Sequence, residues 1–256
     1  MTATPKSISE IVLDRVECYD ASELNCYAFR RGTDAIGNVS LRLGNMNDCP
    51  FTIGSVAFHN SEAAYICGLF SNDTPRHRDI QGELMANTNG LSAKRGIRRP
   101  NADCQRKDWE EFNIEWMKFV VWQKVIGNAD FQRLLLAIPT DAVIIEDSTF
   151  QRGRTAEIWG TRNLCQKALT KAYKAQLLAM GMNKAAIKRA IDAKRLGEWR
   201  HQGCFVGKNF MGKILMLCKR ALENGTEPDI NYSLLRTKRI HLNGELMTFD
   251  RFTAVA

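Results

Sequence analysis

Glu62, Glu146, Asp147 and Glu157 stand at the ends of apolar or helix-forming stretches, and Trp109 and Trp159 occupy comparable positions. Carboxylates and indoles are what cleavage of a glycosidic bond needs. A carboxylate stabilises the oxocarbenium-like sugar or activates water, and an aromatic ring stacks on the base or sugar. Each residue also has a structural reading. Glu62, just after the Asn60-Ser61 pair, can complement a helix dipole. Glu146 and Asp147 can simply end a strand. Trp109 can be core, because its helix carries two more Trp. Other chemistries lack their motifs: there is no G-x-S-x-G, no P-loop and no G-x-G-x-x-G. The four His (59, 77, 201, 241) are dispersed and the eight Cys form no C-x-x-C pair, so neither a zinc site nor a bound cofactor is expected.

The elements that must position these groups follow from pattern. Short apolar runs among Gly, Asn and Asp over residues 1–50 read as strands and turns. "FTIGSVAF" reads as a hairpin around Gly54-Ser55. "NSEAAYICGLF" reads as a helix capped by Asn60 or Ser61, with Glu62 in its first turn. A short helix is expected around "RDIQGELMA", then a basic loop or helix end at "SAKRGIRRP". "DWEEFNIEWMKFVVWQKVIGN" carries an apolar stripe of Trp109, Phe112, Trp116, Phe119 and Val120, with Asp108 as cap and Gly127 as stop. A second helix, "DFQRLLLAI", ends at Pro139, and "DAVIIEDS" is a buried strand. Two basic amphipathic helices over residues 161–205 form a hairpin, followed by the amphipathic "GKNFMGKILMLCKRALENG". The Gly207-Lys208-Asn209 start of that helix can hold an anion. Asn243-Gly244 signals a type I′ turn.

Charge is concentrated. Residues 161–220 hold 14 Lys or Arg against two acids, whereas the rest of the chain has 22 basic and 26 acidic residues, within a net charge of +8. One strongly positive segment on a slightly acidic body points to a polyanion, and nucleic acid is the usual one. Phosphate contacts are expected from Lys184, Lys188, Arg189, Lys194, Arg195 and Lys208. No apolar run is long enough for a membrane span, and "MTATPKSISE" has no apolar core like that of a secretory signal. With scattered Cys, these features lead to the expectation of a cytoplasmic protein with reduced thiols and no membrane partner.

Read in order, "GNMNDCPFTIGSVAFHNSEAAY", "SAKRGIR", "DWEEFNIEWM", "QKVIGN", "FQRLLLAI", "VIIEDS", "EIWG" and "GKNFMGKILM" resemble the NADAR (YbiA-like) family of N-glycosidases. The resemblance implies an α+β, mainly helical fold with short strands. Its catalytic domain would comprise residues 1–160 and 206–256, with residues 161–205 an inserted basic helical hairpin. It implies hydrolysis of an N-glycosidic bond, in phosphorylated riboflavin-pathway intermediates or in ADP-ribosylated guanine. The family glutamate falls on Glu62, and its binding residues fall on Asn45, Lys94, Trp109, Trp159 and Asn209, with Arg95 beside Lys94. The sequence departs from the family where an Asp is usual three residues before the late Trp, because that position is Ala156. Glu157 or Asp147 is then the acid that replaces it.

The expectation is an N-glycosidase acting on a modified nucleotide in DNA, by base excision or by ADP-ribose release, in a setting such as phage–host conflict. Glu62 would be base or cation stabiliser. Lys94 would hold phosphate or attack the sugar carbon as an amine. Two alternatives stay open: a free nucleotide-like metabolite as substrate, or a non-catalytic module that binds nucleic acid or ADP-ribose. The modification recognised and the oligomeric state are not readable from the residues.

Overall fold

The computed structural model describes residues 11–30, 35–36, 39–40 and 43–250. The reading of "MTATPKSISE", and part of that over residues 31–42, lies outside them. In chain order the elements are strands β1 (Glu17–Asp20), β2 (Cys26–Phe29), β3 (Ala35–Ile36), β4 (Val39–Ser40), β5 (Phe51–Ile53) and β6 (Val56–Phe58). Helices α1 (Ser61–Leu69), α2 (Pro75–Met85) and the single turn α3 (Gly90–Ser92) follow, and α3 runs directly into a π-helical stretch, Ala93–Arg98. After a 3₁₀ turn come α4 (Trp109–Gly127), α5 (Ala129–Leu136), β7 (Val143–Glu146), α6 (Thr155–Trp159), β8 (Arg162–Asn163), α7 (Leu164–Ala179) and α8 (Lys184–Leu196). β9 (Cys204–Gly207), α9 (Phe210–Asn224), α10 (Tyr232–Thr237), β10 (His241–Leu242) and β11 (Glu245–Leu246) complete the chain. The class is α+β and mainly helical. The chain forms two compact units, one from residues up to 41 with 138–216, the other from residues 42–137 with 217 onward.

In the first unit β1 pairs antiparallel with β9, and β9 with β8. β2 pairs in parallel with β7, whose Val143, Ile144 and Ile145 are buried. The hairpin expected over residues 161–205 consists of α7 and α8, and the chain enters and leaves it through paired neighbours, Arg162 opposite Val206. The backbones are so close there that a Cβ on Gly207 would lie 2.4 Å from the carbonyl oxygen of Gly160. Asn163 and Asn183 cap the two helices by accepting from the N–H groups of Gln166 and Ala186. Gly181, at φ +73°, turns the chain between them.

In the second unit β5 and β6 form the expected hairpin, with Gly54 at φ +58°. β10 and β11 turn through Asn243 and Gly244 at φ +52° and +83°, the type I′ pair. α4 begins at Trp109 as expected. Asp108 occupies the cap position without capping, because its carboxylate receives the Arg106 guanidinium at 2.9 Å instead. The anticipated stripe is fully buried, and so is most of the helix beyond it.

α1 is buried along its whole length and rests on α4. The Trp116 indole N–H donates to the carbonyls of Ala64 and Tyr65 at 3.3 and 3.2 Å. Contact this close requires Gly68, where a Cβ would lie 2.2 Å from the Trp116 Nε1. Replacing Gly68 with Ala therefore forces the two helices apart. A loss of roughly 1–3 kcal/mol is expected, read from the urea midpoint, even though alanine favours helix.

Candidate active site

The opening of α1 answers whether Glu62 is a cap. Asn60 is the N-cap: its Oδ1 accepts from the Ala63 N–H at 2.9 Å and its amide donates to the Asn87 carbonyl at 2.9 Å. Glu62 is thus relieved of capping. Its backbone N–H donates to the Asn45 carbonyl at 2.9 Å, and its carboxylate is buried. The carboxylate's counter-charge is the Lys94 ammonium, 3.7 Å away. Only 8% of the Glu62 side chain is exposed, against 47% of Lys94. Lys94 lies in the π-helical stretch with Arg95 and Arg98, and such stretches are frequent at functional sites. Arg95 is exposed and Arg98 half-buried.

Behind Glu62 lies a polar chain. Ser61 donates to the Asn45 side-chain oxygen at 2.9 Å, and the Asn45 amide meets the Met117 sulfur at 3.3 Å. Asn45, expected to bind substrate, is here part of the support for α1. Lys124, fully buried, donates to the Ser61 hydroxyl at 3.2 Å and stands 4.0 Å above the Phe131 ring. Burial lowers the Lys124 ammonium to about 8, opposed only weakly by the Cys49 and Cys218 thiols. Burial also pushes the Cys218 thiol up to about 12. Trp109, expected to frame a base or sugar, is buried and packs on Tyr65 at 4.9 Å and on Phe112 at 5.2 Å. Tyr65, one helical turn after Glu62, was not anticipated, although spacing of three places it on the same side. Burial raises its phenol pKa.

The remaining expected site residues fall in the first unit. Asp147 is buried between two guanidinium groups: Arg30 Nε at 2.8 Å and Arg195 Nη2 at 2.6 Å. Its other oxygen accepts from the Thr149 N–H at 2.9 Å. Asp147, a candidate acid, is thus held by two guanidinium groups and a backbone N–H. Arg195, expected at DNA, is withdrawn to the interior by the same bond and lies over Phe150 at 4.7 Å. Glu157 is half exposed and pairs with Arg162 at 2.7 Å, a surface ion pair. Asn209, expected at phosphate or ribose, has other partners here. It is fully buried, at φ +54°, accepting from the Glu146 N–H at 3.0 Å and donating to the Ile144 carbonyl at 2.9 Å, so it clamps the start of α9 to β7. That commitment removes its side chain from the anion site expected at residues 207–209. Trp159 is half-buried and meets Phe210 edge-on at 5.8 Å.

Of the cations expected at phosphate, Lys184, Lys188 and Arg189 are exposed on α8. Lys194 pairs with Glu198 and Lys208 with Asp14. Among the described residues no three His, Cys, Asp or Glu are grouped to hold a metal ion, and no helix is long and apolar enough to cross a membrane. The eight Cys are free thiols, with Cys26, Cys49, Cys67 and Cys218 buried and Cys165 exposed.

No protein-family model matches the chain, and no curated protein matches it significantly. Among solved structures the chain is similar to the NMR structure of the E. coli protein YbiA, with 16% identity and a TM-score of 0.47 over 80% of this chain and 92% of that one.

Two measurements test these assignments. Asp147→Ala strands a buried guanidinium and is expected to cost ~3–5 kcal/mol of unfolding free energy, whereas Glu157→Ala should change it by less than about 1 kcal/mol. For Lys124 the folded chain releases its proton near 8 and the unfolded chain near the ordinary 10.5. Between those values only the unfolded chain binds the proton, so this site's contribution to stability rises with pH across that window. Relative to Lys124→Met, the wild-type chain should gain about 3 kcal/mol from below pH 8 to above 10.5, read by urea unfolding at each pH.

Proposed function

We propose that this chain is an N-glycosidase that hydrolyses the bond between sugar and base in a modified nucleotide carried by DNA. One observation carries the reading. Among the described residues the buried acids are Glu17, Glu62 and Asp147. Glu17 is held by the buried Lys213 at 3.1 Å and Asp147 by the buried Arg195. Asp147 is also met by the quarter-exposed Arg30, but among the described residues Glu62 is the one of the three paired with no buried cation, only with the half-exposed Lys94. A substrate anion can draw Lys94 away and leave a desolvated carboxylate facing the ligand. The ordered blocks resembling the NADAR family support the same residue, since the family glutamate falls on Glu62.

The chemistry follows from charge. As the C1–N bond breaks, its electron pair leaves with the base, and C1 becomes oxocarbenium-like. The Glu62 carboxylate stabilises that cation and accepts a proton from the water that attacks C1. The departing base nitrogen takes its proton from solvent. Lys94, Arg95 and Arg98 provide positive charge for a phosphate. Trp109 acts indirectly, by holding Tyr65. No redox step or cofactor is required. The exposed cations of α7 and α8 bind the DNA backbone. The reading covers both excision of a base and release of ADP-ribose from guanine.

A second reading has one observation in its favour: the Lys94, Arg95 and Arg98 cluster is enough for the phosphate of a free nucleotide, without the hairpin. Mass spectrometry of small molecules released from modified DNAs, ADP-ribosylated oligonucleotides and free nucleotides separates the two. Glu62→Gln should lower release at least ~10²-fold with an unchanged melting temperature. Undiminished turnover in that variant sinks the mechanism, and cleavage confined to free nucleotides selects the second reading.

A further inference from the structure

Leu164, Lys167, Lys171, Lys174 and Leu178 follow one another along α7 at spacings of three and four, which stacks them on one side of the helix. All five are exposed. Thr170 and Leu177 form the buried side, and Tyr173 is spent on Trp199, edge-on at 5.6 Å. Among the described residues the exposed lysines of this row form no ion pair. At the end of α7 the row runs into the turn through Met180, Gly181 and Met182, and α8 begins with exposed Lys184, Lys188 and Arg189. The apex thus presents two aliphatic side chains to solvent, Leu178 at 54% and Met180 at 73% exposure, with cations before and after them in the chain.

We propose that this apex is a wedge for duplex DNA. The lysines of α7 and the cations of α8 take phosphates, and the apolar side chains of the apex, Met180 in the turn foremost and Leu178 beside the lysines, part adjacent base pairs. The inference rests on the DNA reading of the proposed function and adds how the duplex is opened. An enzyme that acts on a base must first take it out of the stack, and aliphatic side chains pushed between base steps are how proteins unstack a duplex. The composition argues for a duplex over the other polyanions. Single strands are held on aromatic platforms, but Tyr173 and Trp199 are turned on each other. A lipid surface calls for a broad apolar face, whereas here Leu178 ends the row of lysines and Met180 stands apart from it in the turn. A second copy of the same row would be repelled by its charge.

A duplex containing 2-aminopurine tests the wedge, because unstacking brightens the probe and the same titration gives the affinity. Both the wild-type chain and Glu62→Gln should brighten it, since neither signal needs turnover. Leu178→Ser combined with Met180→Ser should lose the brightening and keep the salt dependence of binding. Lys167→Glu, Lys171→Glu and Lys174→Glu together should reduce the slope of log affinity against log salt by about 3. These positions are exposed, and matching melting curves confirm intact folding. Brightening by the double serine variant equal to wild type overturns the wedge, as does tighter binding to phosphatidylserine vesicles or to single strands than to the duplex. The proposed chemistry fails differently: a duplex bound and brightened with no product released leaves the wedge standing. Turnover of free nucleotides with no duplex binding removes the wedge together with the DNA reading.

Discussion

A carboxylate taken out of water must be matched by positive charge or by N–H donors, or it will not stay ionised. That constraint sorts the acids of this chain. Glu17 is met by Lys213, whose ammonium also reaches the carbonyls of Val12 at 2.7 Å and Arg15 at 2.9 Å, so the pair ties the start of β1 to α9. Asp147 is met twice and by rigid groups, which joins the end of β2 to α8 through one side chain. Among the described residues Glu62 is met by one cation, the ammonium of the half-exposed Lys94. The first two pairs are closed off by buried cations, and the third has a partner that reaches water.

The support beneath Glu62 explains why that charge stays put. Asn60 takes the capping duty, Asn45 and Ser61 fix the chain entering α1, and Lys124 and Trp116 hold the helix from α4. A side chain carried by a buried helix start keeps its geometry better than one on a loop. Lys124 is an expensive support, since an ammonium in that environment gives up part of its basicity.

Local patterns were legible where the cause is local. The turns at Gly54 and at Asn243-Gly244 follow from residues that tolerate positive φ, and the length and apolar stripe of α4 follow from spacing alone. The hairpin of α7 and α8 was readable from its basic, amphipathic pattern. What could not be read was which acid meets which cation. Arg30 and Asp147 are 117 residues apart, and Arg195 and Asp147 are 48 apart, so nothing in their neighbourhoods announces the triad. The same holds for Asn209, where a residue that looks poised for a ligand is consumed by the backbone of β7. Trp109 had two readings, and the crowded apolar helix around it decided for the core. The π-helical widening at residues 93–98 left no mark on a stretch read as a basic loop or helix end.

The close approach of Gly160 and Gly207 has an evolutionary side. A segment whose two ends emerge from neighbouring strands imposes no separation on its host, so it can be lengthened, exchanged or lost while the strand register on either side survives. Selection can then act on the reach and charge of α7 and α8 without disturbing the β-sheet from which they grow. Ties such as Asp147 limit that freedom, since it would need a new cation, or a neutral replacement, in any descendant that gave up Arg195.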